Sequence, residues 1–509
     1  MSFPKLQYQV TPMIYDSKSL QDEQNFYHQK HGAPDVLNRR ITYVLGDYSK
    51  QWPLTMATVG SIGYNKGLGK TAQELNDVQY TYPVMGGLNK VCRIAKSDYS
   101  AGDKPGIGHS QFYLYFEDNW IKRFYIIQSE LGVQAYVLKD LEPVGNYWRA
   151  TVQLDPAEET DFCPVDQTAE GVAWTPLTTN VAESESRTTE GNSVAPGSYK
   201  NQMGFLRHGM SWAGNAANKV MKIAMSAKDA SGNVKTFEAW MDWFMWQFEM
   251  EWNDIRENAF WYSRYNRKTD GTIALRDLTT GKVIPRFAGV LEQIQNKSSY
   301  TTLTHNYLTN VIGDALYGQG DAAGMNITLM TGRGGMREFH KMALAAGGQL
   351  LNGNFGDVAS KFISGTGYNL ALGGYFSQIY HIDGYIITVK HNPIFDSGRI
   401  AQGSPKHPES GLPLESYRMV FLDTNDVDGE PNLQYVAQKG RSFLHGVVAG
   451  LTPMPKSLKI AGGFSAEANE AAALMSTDQD KSLYTRFASC GIQILRANRC
   501  FDLTCDAGL

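Results

Sequence analysis

Along residues 236–266 large apolar side chains recur at three- to four-residue steps: Phe237, Met241, Phe244, Phe248, Ile255, Ala259 and Tyr262. That period marks one face of a helix. No Pro or Gly interrupts the stretch, which predicts a single helix of roughly 45 Å. Half of the chain's ten tryptophans, Trp240, Trp243, Trp246, Trp252 and Trp261, fall inside it. Trp243, Trp246, Met250 and Trp261 cover much of the remaining surface. Interleaved Glu238, Asp242, Gln247, Glu249, Glu251 and Asp254 exclude a membrane span. A polar-striped helix this aromatic must be covered on more than one side, by its own domain or by neighbouring subunits. The five tryptophans are therefore candidate structural and assembly residues.

Elsewhere the period shortens to two. Phe112–Phe116, residues 123–127, 135–138 and 148–154 are short aromatic and β-branched runs separated by turn residues, which predict strands. The last two, joined across Glu142-Pro-Val-Gly-Asn, predict a long two-stranded ribbon. Residues 178–198 hold Glu183, Glu185, Arg187 and Glu190 among Ser, Thr, Gly and Pro, and predict a mobile loop. Residues 273–291 predict a hairpin turned at Thr280-Gly281. From about 320 to 460 the pattern is mixed. A strand at 327–330 leads through Thr331-Gly-Arg-Gly-Gly into a helix opening at Met336, and residues 385–389 and 417–422 predict further strands. Residues 483–487 and 491–495 predict two strands returning to an earlier sheet. Before all of this, Pro4, Pro12, Pro34 and Pro53 break every candidate element. The start of the chain thus reads as an extended arm with short helical pieces, one at 35–45.

Length and composition narrow the class. With 509 residues the chain can hold two to four domains, and 50 glycines with 12% aromatic residues suit many turns between large packed side chains. A net charge of −4 lacks the basic footprint of a nucleic-acid or membrane-surface binder. The first residues carry no secretory-signal pattern. Cys92, Cys163, Cys490, Cys500 and Cys505 are odd in number and match no structural zinc spacing, so free thiols are expected.

Candidate chemistry is thin. Gly69-Lys70-Thr71 lacks the glycine that a phosphate loop needs five residues earlier, where Tyr64 stands. Gly332, Gly334 and Gly335 sit at a strand-to-helix junction, where free amides can hold an anion. A third dinucleotide-type glycine is missing, since position 337 is Arg, so a tight turn is the expectation. His391, Asp396 and His407 lie among prolines without short metal-ligand spacing and are expected to be solvated loop residues. Glu249 and Glu251, two apart on a helix, point to different faces and form no acid/base pair. No catalytic, cofactor or metal residue is expected.

Several segments resemble the major capsid proteins of tailed bacteriophages of Bacteroidetes, the crAss-like phages. The most specific is Val389-Lys-His-Asn-Pro-Ile-Phe-Asp396, continuing through His407-Pro-Glu-Ser-Gly-Leu-Pro-Leu-Glu-Ser-Tyr417-Arg-Met into Leu422-Asp423. Others are Ile284-Pro-Arg-Phe-Ala-Gly-Val-Leu-Glu-Gln-Ile294, Leu329-Met-Thr-Gly-Arg-Gly-Gly-Met-Arg-Glu-Phe339 and Phe116-Glu-Asp-Asn-Trp120. The resemblance implies an α+β fold of the HK97 capsid type. Its parts would be an N-terminal arm at 1–83 and a β-rich extension (the E-loop) at 84–232, with an inserted subdomain near 156–232. A peripheral domain at 233–320 would contain the spine helix, followed by an axial domain at 321–460 and returning strands at 461–509.

The resemblance further implies a structural shell protein that is not an enzyme and needs no cofactor. It would form pentamers and hexamers in an icosahedral head around double-stranded DNA, with no sequence-specific DNA contact and no membrane. Its expected partners are further copies of itself, a portal, and auxiliary capsid or head-fibre proteins. Its expected place is the virion, assembled in the host cytoplasm. Lys200 and Asn201 lie near the region where some relatives form an isopeptide crosslink, but none is expected here. From the residues alone, aromatic-rich β-structure also suits a multidomain carbohydrate-binding or carbohydrate-active protein.

Overall fold

The computed structural model describes residues 52–59, 72–84, 90–155, 158–183, 191–213, 220–228, 234–316, 326–351, 378–380, 386–427, 429–448, 450–451 and 477–507. The expected helix at 35–45 and Gly69-Lys70-Thr71 lie outside them. The chain forms two compact units. One runs from Thr81 to Tyr199, and the other combines residues up to Tyr80 with those from Lys200 onward. The mixture of helices and sheets is α+β.

The unit Thr81–Tyr199 is a closed β-barrel. Cys92–Lys96, Phe112–Phe116, Tyr125–Ser129, Gln134–Val137, Tyr147–Leu154 and Ala173–Thr179 pair antiparallel around a ring, which Phe112↔Val152 to Phe116↔Trp148 closes. Closure removes the edge strands an open sheet would expose. The interior is apolar, with Ile94, Phe112, Leu114, Phe116, Ile127, Val137, Val152 and Trp174 all buried. The expected ribbon is real as a pairing, Ala135↔Leu154 to Val137↔Val152, but it is part of the barrel wall. The segment read as its connection contains a strand of its own, Glu142–Val144, paired back on Tyr147–Leu154. Only Gly145-Asn146 turns, with Gly145 at φ +62° where a side chain would be strained. Of the expected loop at 178–198, its first two residues end the strand Ala173–Thr179, its last two begin Gly197–Gln202, and 184–190 lie outside the described residues.

In the other unit two sheets and the long helix share one hydrophobic core, and a second core lies on the opposite face of one of the sheets. Lys481–Ile494 is a single 14-residue strand where two were expected, because residues between the two runs continue to pair. It lies antiparallel to Gly204–Ala213, Leu433–Gln438 and Leu444–Val448. The second sheet runs Asn296–Tyr300, Phe501–Cys505, Met419–Asp423, Asn326–Thr331, Ile386–His391, Gln378–Tyr380. Met419–Asp423 is buried throughout, and its residues alternate between cores. Met419 and Phe421 join the cluster beneath the helices His305–Leu316 and Arg333–Leu351. Val420 and Leu422 join the cluster beneath the long helix. This is the period-two geometry of a strand covered on both faces.

The long helix spans Trp240–Tyr262, shorter than expected at both ends. Residues 236–239 belong to the strand Val234–Ala239, paired with Val220–Lys228, because β-branched Val234 and Thr236 find a ladder there. After Tyr262 the chain turns away into the expected hairpin, whose turn closes with the Gly281 amide donating to the Asp277 carbonyl at 2.8 Å. The helix Val290–Gln293 ends that segment. The buried stripe is also rotated from the expected one. Phe248, Trp252, Asn253, Arg256, Glu257, Phe260 and Trp261 are buried, whereas Ile255, Ala259 and Tyr262 are half-buried.

Candidate functional site

The rotation of the long helix follows from what covers it. The short helix Pro53–Val59 begins with Pro at its first position, where the missing amide costs nothing. Its next free amides meet Glu257. The Leu54 amide donates to Oε1 at 3.0 Å, and the Thr55 amide and hydroxyl donate to Oε2 at 2.7 and 2.6 Å. Trp261 Nε1 donates to Oε1 at 2.9 Å, and beside this set Trp52 Nε1 donates to Asp254 at 2.7 Å. Burial pushes the Glu257 carboxyl up, and the donors of Thr55, Trp261 and Leu54 pull it back. A carboxylate serves here as a cap between two segments some 200 positions apart in sequence.

Of the aromatic candidates, Trp246, Trp252 and Trp261 are buried inside this one chain, and Trp261 packs edge-on against Phe395 at 5.0 Å. Trp240 and Trp243 are in the helix, but their side chains lie outside the described residues. Glu249 and Glu251 do point to different surroundings. Glu249 pairs with Arg486, whose guanidinium is itself buried over Phe248 and Phe443. The expected solvated or interface charge therefore fits only Glu251, which is half exposed near His208 and Arg399.

The glycine junction is a second capped helix start. The helix opens at Arg333, three residues before the expected Met336. Its Arg333 amide donates to Asp396 Oδ1 at 2.9 Å and its Gly334 amide to Ser416 Oγ at 2.8 Å. Ser416 in turn donates to Asp396 Oδ1 at 2.5 Å, while His391 Nε2 sits 2.5 Å from Oδ2. Burial pushes the Asp396 carboxyl up, but the hydrogen bonds of His391, Ser416 and the Arg333 amide outweigh it and hold the group below its ordinary range. The anion this helix start can bind is thus the chain's own carboxylate.

All three glycines allow close approach. A Cβ on Gly332 would lie 2.6 Å from Asp396 Oδ1, on Gly334 2.6 Å from the Tyr417 ring, and on Gly335 1.9 Å from Thr331 Oγ1. The structure corrects the expected solvation of this segment. His391 is half-buried against Asp396, and His407 is buried with its ring stacked on Tyr417 at 4.5 Å. Among the described residues no three His, Cys, Asp or Glu side chains gather as a metal site.

Asn201 is buried, accepting from the Gln202 and Ala288 amides at 2.8 and 3.0 Å, and so serves as packing. The five thiols are free and buried. Burial pushes Cys92 and Cys490 up to about 11, and Cys163 and Cys500 up to about 12.

Sequence reasoning missed Thr55, Glu257, Ser416 and Tyr417, and placed Asp396 in a solvated loop rather than at a helix start. The available signal was slight: an acid four residues before a tryptophan, and an Asp and a Ser inside the conspicuous 389–419 motif.

Residues 16–508 match the model of a family described as Crassvirus major capsid protein. The major capsid protein of Bacteroides phage crAss001 is 25% identical over 414 residues, 78% of each chain. Among solved structures, the capsid of cyanophage P-SCSP1u has a TM-score of 0.32 at 8% identity, covering 65% of this chain and 81% of its own. The SrpI encapsulin of Synechococcus elongatus has 0.29 at 8%, covering 63% and 79%.

Proposed function

The chain belongs to the Crassvirus major capsid protein family and is a structural shell protein of the virion, and from that premise we propose that it builds its shell by tiling in rings of five and six. In this reading the fold is of the HK97 type. The long helix is its spine, the segment 84–232 its extension carrying the barrel, 321–460 its axial domain, and the residues before 84 an arm. The observation that supports it most is the division of labour in the structure. The candidate groups Asp396, His391 and His407, together with the buried Glu257, are all engaged as caps and packing. No catalysis is assigned. Carbohydrate binding, the other expectation, is not favoured in a member of this family.

Tiling needs many contacts that are individually modest, because simultaneous engagement multiplies them and overly tight ones trap errors. Portal, auxiliary or fibre proteins would attach to the assembled shell, which forms in the host cytoplasm and encloses DNA without sequence-specific contacts. The test is sedimentation and electron microscopy of the purified full chain. Rings of five and six, tubes or closed shells are the expected result. A chain that stays monomeric across salt and concentration, and stays so with shell components of the same phage added, overturns the reading.

A further inference from the structure

Two exposed surfaces, one in each unit, carry opposite charge and exposed apolar side chains. The first is the hairpin that follows the long helix. Residues 264–286 contain Arg264, Arg267, Lys268, Arg276, Lys282 and Arg286 against two acids. Both acids lie at the surface and accept hydrogen bonds from their own turns. Asp270 accepts from the Thr272 amide and hydroxyl at 2.8 and 2.7 Å, and Asp277 from those of Thr280 at 2.9 and 2.5 Å. The hairpin therefore keeps an excess of four positive charges, and none of the six cations forms an ion pair among the described residues. Beside them Leu275, Val283 and Ile284 are about half exposed and Leu278 at the tip is fully so. Four such side chains in one short hairpin exceed the scattered exposure normal for a surface.

The hairpin is firmly held at its base. Gln202 Nε2 donates to Asn266 Oδ1 and the Arg286 carbonyl at 2.8 and 2.7 Å, and Gln202 Oε1 accepts from Arg267 at 3.0 Å. Asn266 also spans the two arms, accepting from the Arg286 amide and donating to the Ile284 carbonyl. An apolar tip on a rigid base loses little entropy on docking.

The second surface is one end of the barrel. From Asp155 to Glu170 the chain holds six acids, Asp155, Glu158, Glu159, Asp161, Asp166 and Glu170, with no Lys or Arg. None of them forms an ion pair among the described residues. Phe162 is exposed within this segment, with Lys104 lying over its ring at 5.2 Å. The Leu131 turn, whose side chain is 76% exposed, is tied to the same segment by its amide donating to Gln167 Oε1.

We propose that the acidic, apolar-tipped barrel end of one copy docks on the basic, apolar-tipped hairpin 264–286 of another. The occupant follows from charge complementarity between two surfaces of the same chain, and the proposal rests on the shell reading above. Because the two surfaces differ, the contact is head-to-tail, the type that closes into rings or runs on as a lattice. Unpaired opposite charges steer the encounter, while the leucines and Phe162 supply the desolvated centre.

The test uses full-length chains with charges reversed at exposed positions: R276E/K282E in the hairpin, E158K/E159K in the barrel end, and the two combined. Association is followed by sedimentation velocity against salt, with thermal melts confirming that each variant is folded. Each reversed pair alone should weaken association by about tenfold or more, and the combined chain should regain most of it. Wild-type association should fall as salt rises. L278S, which leaves every charge in place and removes the apolar tip, should also weaken it. If wild type assembles and the reversed chains assemble as well, the contact is wrong and the shell reading stands. If wild type does not associate, even with shell components of the same phage added, both fail. If R276E/K282E loses assembly that E158K/E159K cannot restore, while wild-type assembly proves to depend on added DNA, the hairpin serves the nucleic acid and this contact is overturned.

Discussion

Thr55 donates to Glu257 twice, through its amide at 2.7 Å and its hydroxyl at 2.6 Å, so one carboxylate oxygen fixes both backbone and side chain of a helix start. The other oxygen takes the Leu54 amide and the Trp261 indole. The long helix therefore carries its own docking point for a segment near the beginning of the chain.

Removing that carboxylate leaves buried donors without acceptors. Glu257→Ala should destabilise the protein by about 3–5 kcal/mol, since several charge-assisted bonds go at once. Thr55→Val, which keeps the amide bond and loses only the hydroxyl, should cost about 1–2 kcal/mol. Urea unfolding reads both. Limited proteolysis near residues 52–59 should quicken in the Glu257 variant, and equal resistance would show that the cap is not what holds that helix.

Two helical glycines should respond to alanine with opposite signs. A methyl added at Gly313 would meet nothing within 4 Å, so Gly313→Ala should stabilise by about 0.5–1 kcal/mol through helix propensity. At Gly335 the methyl would meet Thr331 Oγ1 at 1.9 Å, so Gly335→Ala should destabilise by about 1–3 kcal/mol despite the same propensity gain. Melting temperatures moving the same way in both would refute the packing argument.

Asp396 gives a pH dependence of definite sign. Its carboxyl is held below the ordinary range in the folded chain, so it binds its proton more weakly there than when unfolded. Its stabilisation is present above about pH 4 and disappears as pH falls through the folded value. Asp396→Asn should be less stable than wild type at pH 7, with the gap narrowing on acidification. A gap that stays constant from pH 7 to pH 3 would contradict this.

The thiols should be silent until the fold opens. Burial raises Cys92, Cys163, Cys490 and Cys500 to about 11–12, leaving almost no thiolate at pH 7.5. A thiol-reactive dye should label the native chain slowly and all five cysteines promptly in denaturant. Prompt native labelling of any of these four would place it in a different environment.

Much of this architecture was legible from local pattern. The long helix, the barrel strands around Phe112–Phe116 and 148–154, the hairpin turned at Gly281 and the strand into Gly332 are all written in near-neighbour periodicity, which dihedral preferences and burial enforce within a few residues. The motifs at 284–294, 329–339 and 389–423 carried the family resemblance. What local pattern could not decide was partnership. Barrel closure depends on Phe112–Phe116 meeting Tyr147–Leu154, and the continuity of Lys481–Ile494 depends on three neighbouring strands.

Local periodicity marked residues 236–266 as one helix with a face that must be buried. It pointed to the stripe containing Ile255, Ala259 and Tyr262, because hydrophobicity alone ranks those above Asn253, Arg256 and Glu257. The fold overrode that ranking. Glu257 could enter the core because Leu54, Thr55 and Trp261 arrive there as donors, and Asp396 could occupy a helix start because Arg333 and Ser416 do. A polar group is buried at tolerable cost only when its partners are already in place, and partners far apart in sequence are brought together by the fold alone.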